Sequence, residues 1–123
     1  MEKKWKNKNF LAAFKNALNG IKYVYENELN IKIELAIAIL ALVFGVVFEF
    51  TKFEFLILLL TIVFVLFAEF INTAFESVVD LYTEKYNEKA KIAKDIASSA
   101  VLIVAISSVI VGVILYGSKL LYI

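Results

Sequence analysis

Three apolar runs, at residues 33–50, 53–79 and 96–115, decide what this chain can fold into. A helix needs roughly 20 residues, within a range of about 17–25, to cross a hydrocarbon core of about 30 Å, and each run is long enough. Hydrophobic residues make up 62% of the 123 residues. Soluble domains hold roughly 45–50%. The chain therefore reads as one small, all-α integral membrane domain over residues 1–123. An amphipathic surface helix is expected over 9–30. Spans are expected over 32–50, 53–81 and 88–121, with a loop at 82–87. A unit of three spans buries little polar surface by itself, so a homo-oligomer is expected.

The second run does not end as a lipid-facing helix should. Its last part reads Glu69-Phe70-Ile71-Asn72-Thr73-Ala74-Phe75-Glu76-Ser77-Val78-Val79-Asp80. At 100° per residue, Glu69, Asn72, Thr73, Glu76 and Asp80 fall on one stripe, and Phe70, Phe75, Val78 and Leu81 lie off it. A carboxylate at the centre of a bilayer costs about 2.5–3.5 kcal/mol on insertion scales, so such groups face a bundle interior or a wet cavity. A polar clamp between helices is the plain explanation for one acid. A row of acids and an amide points to a site.

Depth follows from helix rise. Glu69 lies about 24 Å beyond Phe53 and Glu76 about 10 Å further, at 1.5 Å per residue. With a core of about 30 Å, Glu69 sits inside one leaflet, Glu76 at its boundary and Asp80 in the aqueous phase. Lysines show which leaflet this is. Lys3, Lys4, Lys6, Lys8, Lys15 and Lys22 precede the first span, and Lys85, Lys89, Lys91 and Lys94 lie between the second and third. Only Lys52 and Lys119 fall on the opposite side. The positive-inside rule puts the N-terminus and the second loop in the cytoplasm, in a multi-pass protein of the cytoplasmic membrane.

Composition removes several chemistries. There is no His and no Cys, which excludes His/Cys metal sites and Ser-His or Cys-His nucleophile pairs. All 13 basic residues are Lys, so no arginine can clamp a phosphate. A formal net charge of +1 gives no footprint for nucleic acid. No apolar stretch with a cleavage site opens the chain, so no removable signal peptide is expected.

The remaining segments are read more briefly. Residues 1–8 form a polar, frayed tail. In the surface helix, Phe10, Phe14, Ala17, Leu18, Ile21, Val24 and Tyr25 make the apolar face, and lysines on the other face meet anionic headgroups. Gly20 is expected to permit a bend or close packing. Glu28 reads as a solvated helix-end charge, and Lys32 and Glu34 as snorkelling residues at the edge of the first span. Asn87 suits an N-cap for the third span. Ser108 and Gly112 form a small-xxx-small pair for helix packing. No phosphate-binding glycine loop is present.

The Glu69–Asp80 stretch closely resembles the signature E-x-x-N-[ST]-A-x-E-x-x-V-D of the prokaryotic diacylglycerol kinase family. A second segment, Ala90-Lys91-Ile92-Ala93-Lys94-Asp95-Ile96-Ala97-Ser98-Ser99-Ala100-Val101-Leu102, is similar to that family's A-K-D-x-[AG]-[SA]-x-A-V-L. Phe10, Phe14, Ala17 and Gly20, followed by Asn27-Glu28, match a weaker N-terminal pattern. The matches fall in family order over nearly the whole chain.

The resemblance implies a homotrimer that phosphorylates a membrane lipid alcohol with ATP and Mg2+, at sites shared between subunits. It implies Glu69 as general base on the lipid hydroxyl, with Glu28 and Glu76 holding Mg2+. Glu28, Glu76, Lys94, Asp95, Asn72, Asp80, Lys85, Tyr86 and Asn87 would surround the nucleotide, and Ser98 would lie beside the lipid. The chain departs from the pattern in having Asn9 near the place of an arginine, and Glu84-Lys85-Tyr86-Asn87 where relatives carry E-Y-H. Diacylglycerol and undecaprenol divide the family as acceptors, and the Ala90–Asp95 motif favours undecaprenol. The contrasting expectation is a non-catalytic trimer, structural or cation-conducting. A pore needs polar lining through both leaflets. Residues 55–66 hold only Thr61 as a polar residue, so the stripe reads as a blind cleft.

Overall fold

The computed structural model describes residues 5–121. Residues 1–4, the start of the expected polar tail, lie outside the described residues. Four helices follow in order: α1 Phe10–Asn27, α2 Leu29–Val47, α3 Lys52–Tyr82 and α4 Glu88–Leu121. α2, α3 and α4 are each long and apolar enough to cross a membrane. Among the described residues all regular structure is helical.

Local chemistry sets each boundary. Asn9 caps α1, its Oδ1 accepting from the Ala12 N–H at 2.8 Å. α1 stops at Asn27, short of the residue 30 expected, because Glu28 is extended (φ −113°, ψ 109°) and separates α1 from α2. Gly20 does not interrupt α1: the helix runs through it, and a Cβ there would meet nothing within 4 Å.

α2 ends in a Schellman motif. Phe50 N–H bonds Gly45 O at 2.9 Å and Glu49 N–H bonds Val46 O at 3.1 Å, with Glu49 left-handed at φ 57°. This turn closes three residues earlier than the apolar pattern suggests, since Phe48 and Phe50 are spent on packing rather than on helix. Thr51 then opens α3 with a capping box. Its hydroxyl oxygen accepts from Glu54 N–H at 3.2 Å, and Glu54 Oε1 accepts from Thr51 N–H at 3.0 Å. The short connection makes α2 and α3 antiparallel neighbours.

The three spans are tied together at this Thr51 end. Phe50, Leu58 and Leu115 are buried at its centre. The Phe50 ring lies 4.9 Å from Tyr116 and 5.6 Å from Phe55. The Tyr116 hydroxyl donates to Ala41 O, linking α4 to α2. Lys119 Nζ lies 2.9 Å from Glu54 Oε1, linking α4 to α3. Elsewhere most large apolar side chains are exposed, including Phe64, Phe67 and Ile103. That suits a chain whose outer surface meets lipid or another subunit.

α2 approaches α3 closely at Gly45, where an added Cβ would stand 2.8 Å from Phe55 Cε1 and 3.3 Å from Phe50 Cδ2. Gly45→Ala is therefore expected to destabilise the bundle by about 1–3 kcal/mol, as overpacking does. At the open Gly20 position, Ala should instead stabilise α1 by up to about 1 kcal/mol through helix propensity. Thermal unfolding in detergent micelles checks the pair; equal midpoints for the two variants would contradict the close approach.

Candidate active site

The polar stripe of α3 turns inward, as its register requires. Glu69 and Thr73 are buried, at 6% and 8% exposure, and the other buried side chains among the described residues are apolar. Asn72 Nδ2 donates to Glu76 Oε1 at 3.3 Å, one turn further along. Asn72 Oδ1 is buried and has no hydrogen-bond partner. Ser77 donates to Thr73 O at 3.1 Å, which keeps that hydroxyl on its own helix.

α4 supplies the opposing charge. Lys94 Nζ lies 2.6 Å from Asp80 Oδ1, joining α4 to the Asp80 end of the stripe. Lys94 belongs to the first turns of α4, ahead of the apolar run. Lys94 therefore sets a positive charge beside Asp80. A half-exposed pair of this kind adds little to stability, so its value is in placing the charge. Ser98 follows Lys94 by one turn and is exposed.

Not every expected residue joins this group. Asp95 pairs with Lys91 at 2.6 Å along α4, on an exposed face. Asn87 caps α4, its Oδ1 accepting from Ala90 N–H at 3.0 Å, while Lys85 N–H donates to Thr83 Oγ1 at 3.1 Å. Tyr86 is exposed. Glu28 lies half-buried in the break between α1 and α2 rather than on a helix face. Among the described residues no three acidic side chains cluster for a metal. Mg2+ bound with substrate phosphates needs only one or two carboxylates, so the oxygen donors Glu28 and Glu76 still suit it.

One residue was misread from sequence. Glu34 does not snorkel; it is half-buried with its Oε2 buried, and it lines a cleft between α2, α3 and α4. A signal was present. Glu34, Ala38, Ala41 and Gly45 share one face of α2, and a small-residue face packs against a neighbour rather than lipid. Ala38 and Gly45 are indeed buried. Lys32, by contrast, turns to α1, with Nζ 5.3 Å from the Tyr25 ring centroid.

Two apolar hollows lie along α3, and no residue of the stripe lines either. A cleft of about 400 Å³ between α2, α3 and α4 is lined by Glu34, Ala38, Thr61, Ser108, Gly112 and Tyr116 among others. Gly112 thus opens onto space: a Cβ there would meet nothing within 4 Å, so the Ser108–Gly112 pair makes no close helix contact within the chain. A groove of about 760 Å³ between α1, α2 and α3 includes Leu18, Tyr25, Ile31, Leu66 and Phe70.

Residues 15–116 match the family model described as prokaryotic diacylglycerol kinase. The chain belongs to the prokaryotic diacylglycerol kinase family. It is 36% identical to an undecaprenol kinase of Bacillus subtilis over 111 residues, covering 90% of each chain. It is 38% identical to a diacylglycerol kinase of Synechocystis over 105 residues, 85% of this chain but 60% of that one. The chain thus spans less than two thirds of that relative's length. A diacylglycerol kinase of Escherichia coli is 32% identical over 99 residues, covering 80% of this chain and 81% of the relative. The whole stripe of α3, the Lys94 segment and Glu34 fall inside the family match.

Proposed function

We propose that this protein is a membrane lipid kinase that transfers the γ-phosphoryl group of ATP to the hydroxyl of a membrane lipid at the cytoplasmic face. The observation that carries this is the stripe running from buried Glu69, through Asn72 and Glu76, to the Asp80–Lys94 pair. It spans about 16 Å of helix by its eleven-residue rise, enough to join a lipid hydroxyl inside one leaflet to a nucleotide in the aqueous phase. Membership of the family and the names of its relatives support the same reading.

Phosphoryl transfer is governed by positioning and charge neutralisation. Glu69 takes the proton from the lipid hydroxyl as its oxygen forms the new bond to phosphorus. The bond from phosphorus to the β,γ-bridging oxygen breaks, and ADP leaves. Lys94 neutralises phosphate charge, and Asp80 aims Lys94. Asn72 orients Glu76. Glu28 and Glu76 hold Mg2+, which when bound shields the phosphate oxygens. Asp95, Lys85, Tyr86 and Asn87 border the nucleotide, and Ser98 borders the lipid. The groove between α1, α2 and α3 suits the acceptor's hydrocarbon chain. α1 lies in the interface as an amphipathic helix, and the exposed apolar faces pack in a homotrimer in the bacterial cytoplasmic membrane.

Undecaprenol is the favoured acceptor, on the Ala90–Asp95 motif and the match over 90% of each chain to an undecaprenol kinase. Purified protein in mixed micelles with labelled MgATP, offered diacylglycerol and undecaprenol separately, tests both statements. Label in a lipid product supports the kinase, and the faster acceptor is expected to be undecaprenol. No label in either lipid would overturn the reading.

A further inference from the structure

The two apolar hollows meet on α3 one turn before the proposed base. Leu66, three residues before Glu69, lines both the groove between α1, α2 and α3 and the cleft between α2, α3 and α4. Residues three apart are neighbours on a helix surface, so both hollows open beside Glu69. The lipid kinase reading gives the groove to the acceptor's chain and leaves the cleft without a role.

The cleft is built to hold hydrocarbon. Three hydroxyls line it, and all three are spent on backbone carbonyls. Thr61 donates to Ile57 O at 2.8 Å, Ser108 to Ala105 O at 2.7 Å, and Tyr116 to Ala41 O. A hydroxyl has one proton to give, so none is left for water or a headgroup. A buried water needs about two to four polar partners, which these walls do not supply. The polarity of the cleft lies at one end. Glu34, whose buried Oε2 has no partner, stands about 10 Å from Ala41 along α2 by helix rise. The other end is shut by Tyr116, bonded to Ala41 and packed on Phe50 at 4.9 Å between ring centroids. From Leu58 to Leu66 the cleft follows α3 for about 12 Å. A hollow with one polar end, aliphatic walls and a blind aromatic end fits a chain attached to a polar head.

The candidate acceptors differ in the number of such chains. Diacylglycerol carries two on one alcohol, and undecaprenol is a single chain. Relatives at similar identity are kinases of both names. We propose that the cleft between α2, α3 and α4 receives the second acyl chain of a two-chain lipid alcohol, which straddles Leu66 with its other chain in the α1–α2–α3 groove. The cleft is what admits diacylglycerol as an acceptor, whereas undecaprenol uses the groove alone. The proposal rests on the lipid kinase reading above.

Gly112 offers the test, because it lines the cleft and a Cβ there meets nothing within 4 Å. A larger side chain at this position enters the space of the second acyl chain. The measurement is kcat/KM for diacylglycerol and for undecaprenol, on the full chain in mixed micelles, for wild type, Gly112→Ala and Gly112→Leu. Gly112→Leu should lower the diacylglycerol value at least about tenfold, the scale on which apolar pockets discriminate, and leave undecaprenol within about twofold. Gly112→Ala should shift the ratio of the two acceptors the same way, but less. Undecaprenol turnover reports that a variant is folded. If the Leu variant does not fold, the Ala variant decides, and an unchanged ratio overturns the proposal. Diacylglycerol turnover untouched by Gly112→Leu overturns it, as does an equal fall with both acceptors. An equal fall together with lost chemical cross-links between subunits would assign the cleft to a second copy of the chain. A wild type that labels undecaprenol alone sinks this proposal and leaves the kinase reading standing, whereas one that labels neither lipid sinks both.

Discussion

Glu69→Gln is expected to lower lipid phosphorylation by about 10²–10⁴-fold, the usual contribution of a positioned general base. The change removes the negative charge and one acceptor oxygen while keeping the shape of the side chain. Glu69 is buried on α3, well within the apolar part of the helix, so water is a poor substitute base there. Nucleotide binding should survive, because Asn72, Glu76, Asp80 and Lys94 are untouched. The packing should survive as well, since a neutral amide is easier to bury than a carboxylate. Turnover measured beside equilibrium binding of MgATP separates the two effects. A variant that turns over near the wild-type rate would remove Glu69 from the role of base.

Glu76→Gln should act on the metal rather than on the proton. Glu76 accepts from Asn72 at 3.3 Å, so one of its oxygens is oriented by that amide. A neutral amide has lost the charge that attracts Mg2+. The magnesium concentration giving half-maximal rate should rise at least about tenfold, on the scale seen when even the supporting partners of metal ligands are lost. The rate at saturating magnesium should fall too. Asn72→Ala should shift the same titration in the same direction but less, because it disturbs only the orientation of Glu76. A magnesium titration unchanged by Glu76→Gln would take that residue out of the metal shell.

The spans and the stripe could be read from the chain because both depend on periodicity and transfer energy. Apolar length predicts α2, α3 and α4, and the 100° register predicts that Glu69 and Thr73 face away from lipid. The Asn87 cap is short-range chemistry that one sequence displays. What escaped depends on pairing between helices. Glu34 looks like an edge residue until α2 is laid against α3, and only the Ala38, Ala41, Gly45 face hinted at it. The break at Glu28 has no proline or glycine to announce it. Gly20 and Gly112 look like packing sites, yet in this chain neither meets a neighbour. Asp95 carries a family motif, but within one chain it bonds Lys91 and not the stripe.

The most direct measurement uses sided membranes. Inside-out and right-side-out vesicles containing the protein are given labelled MgATP from the bulk phase, and label in extracted lipid is counted. The expected result is labelled lipid phosphate in inside-out vesicles, little in right-side-out ones, and none in either with Glu69→Gln. Equal labelling from both sides, or labelling that persists in the Glu69→Gln protein, would contradict a lipid kinase whose base lies in the cytoplasmic leaflet.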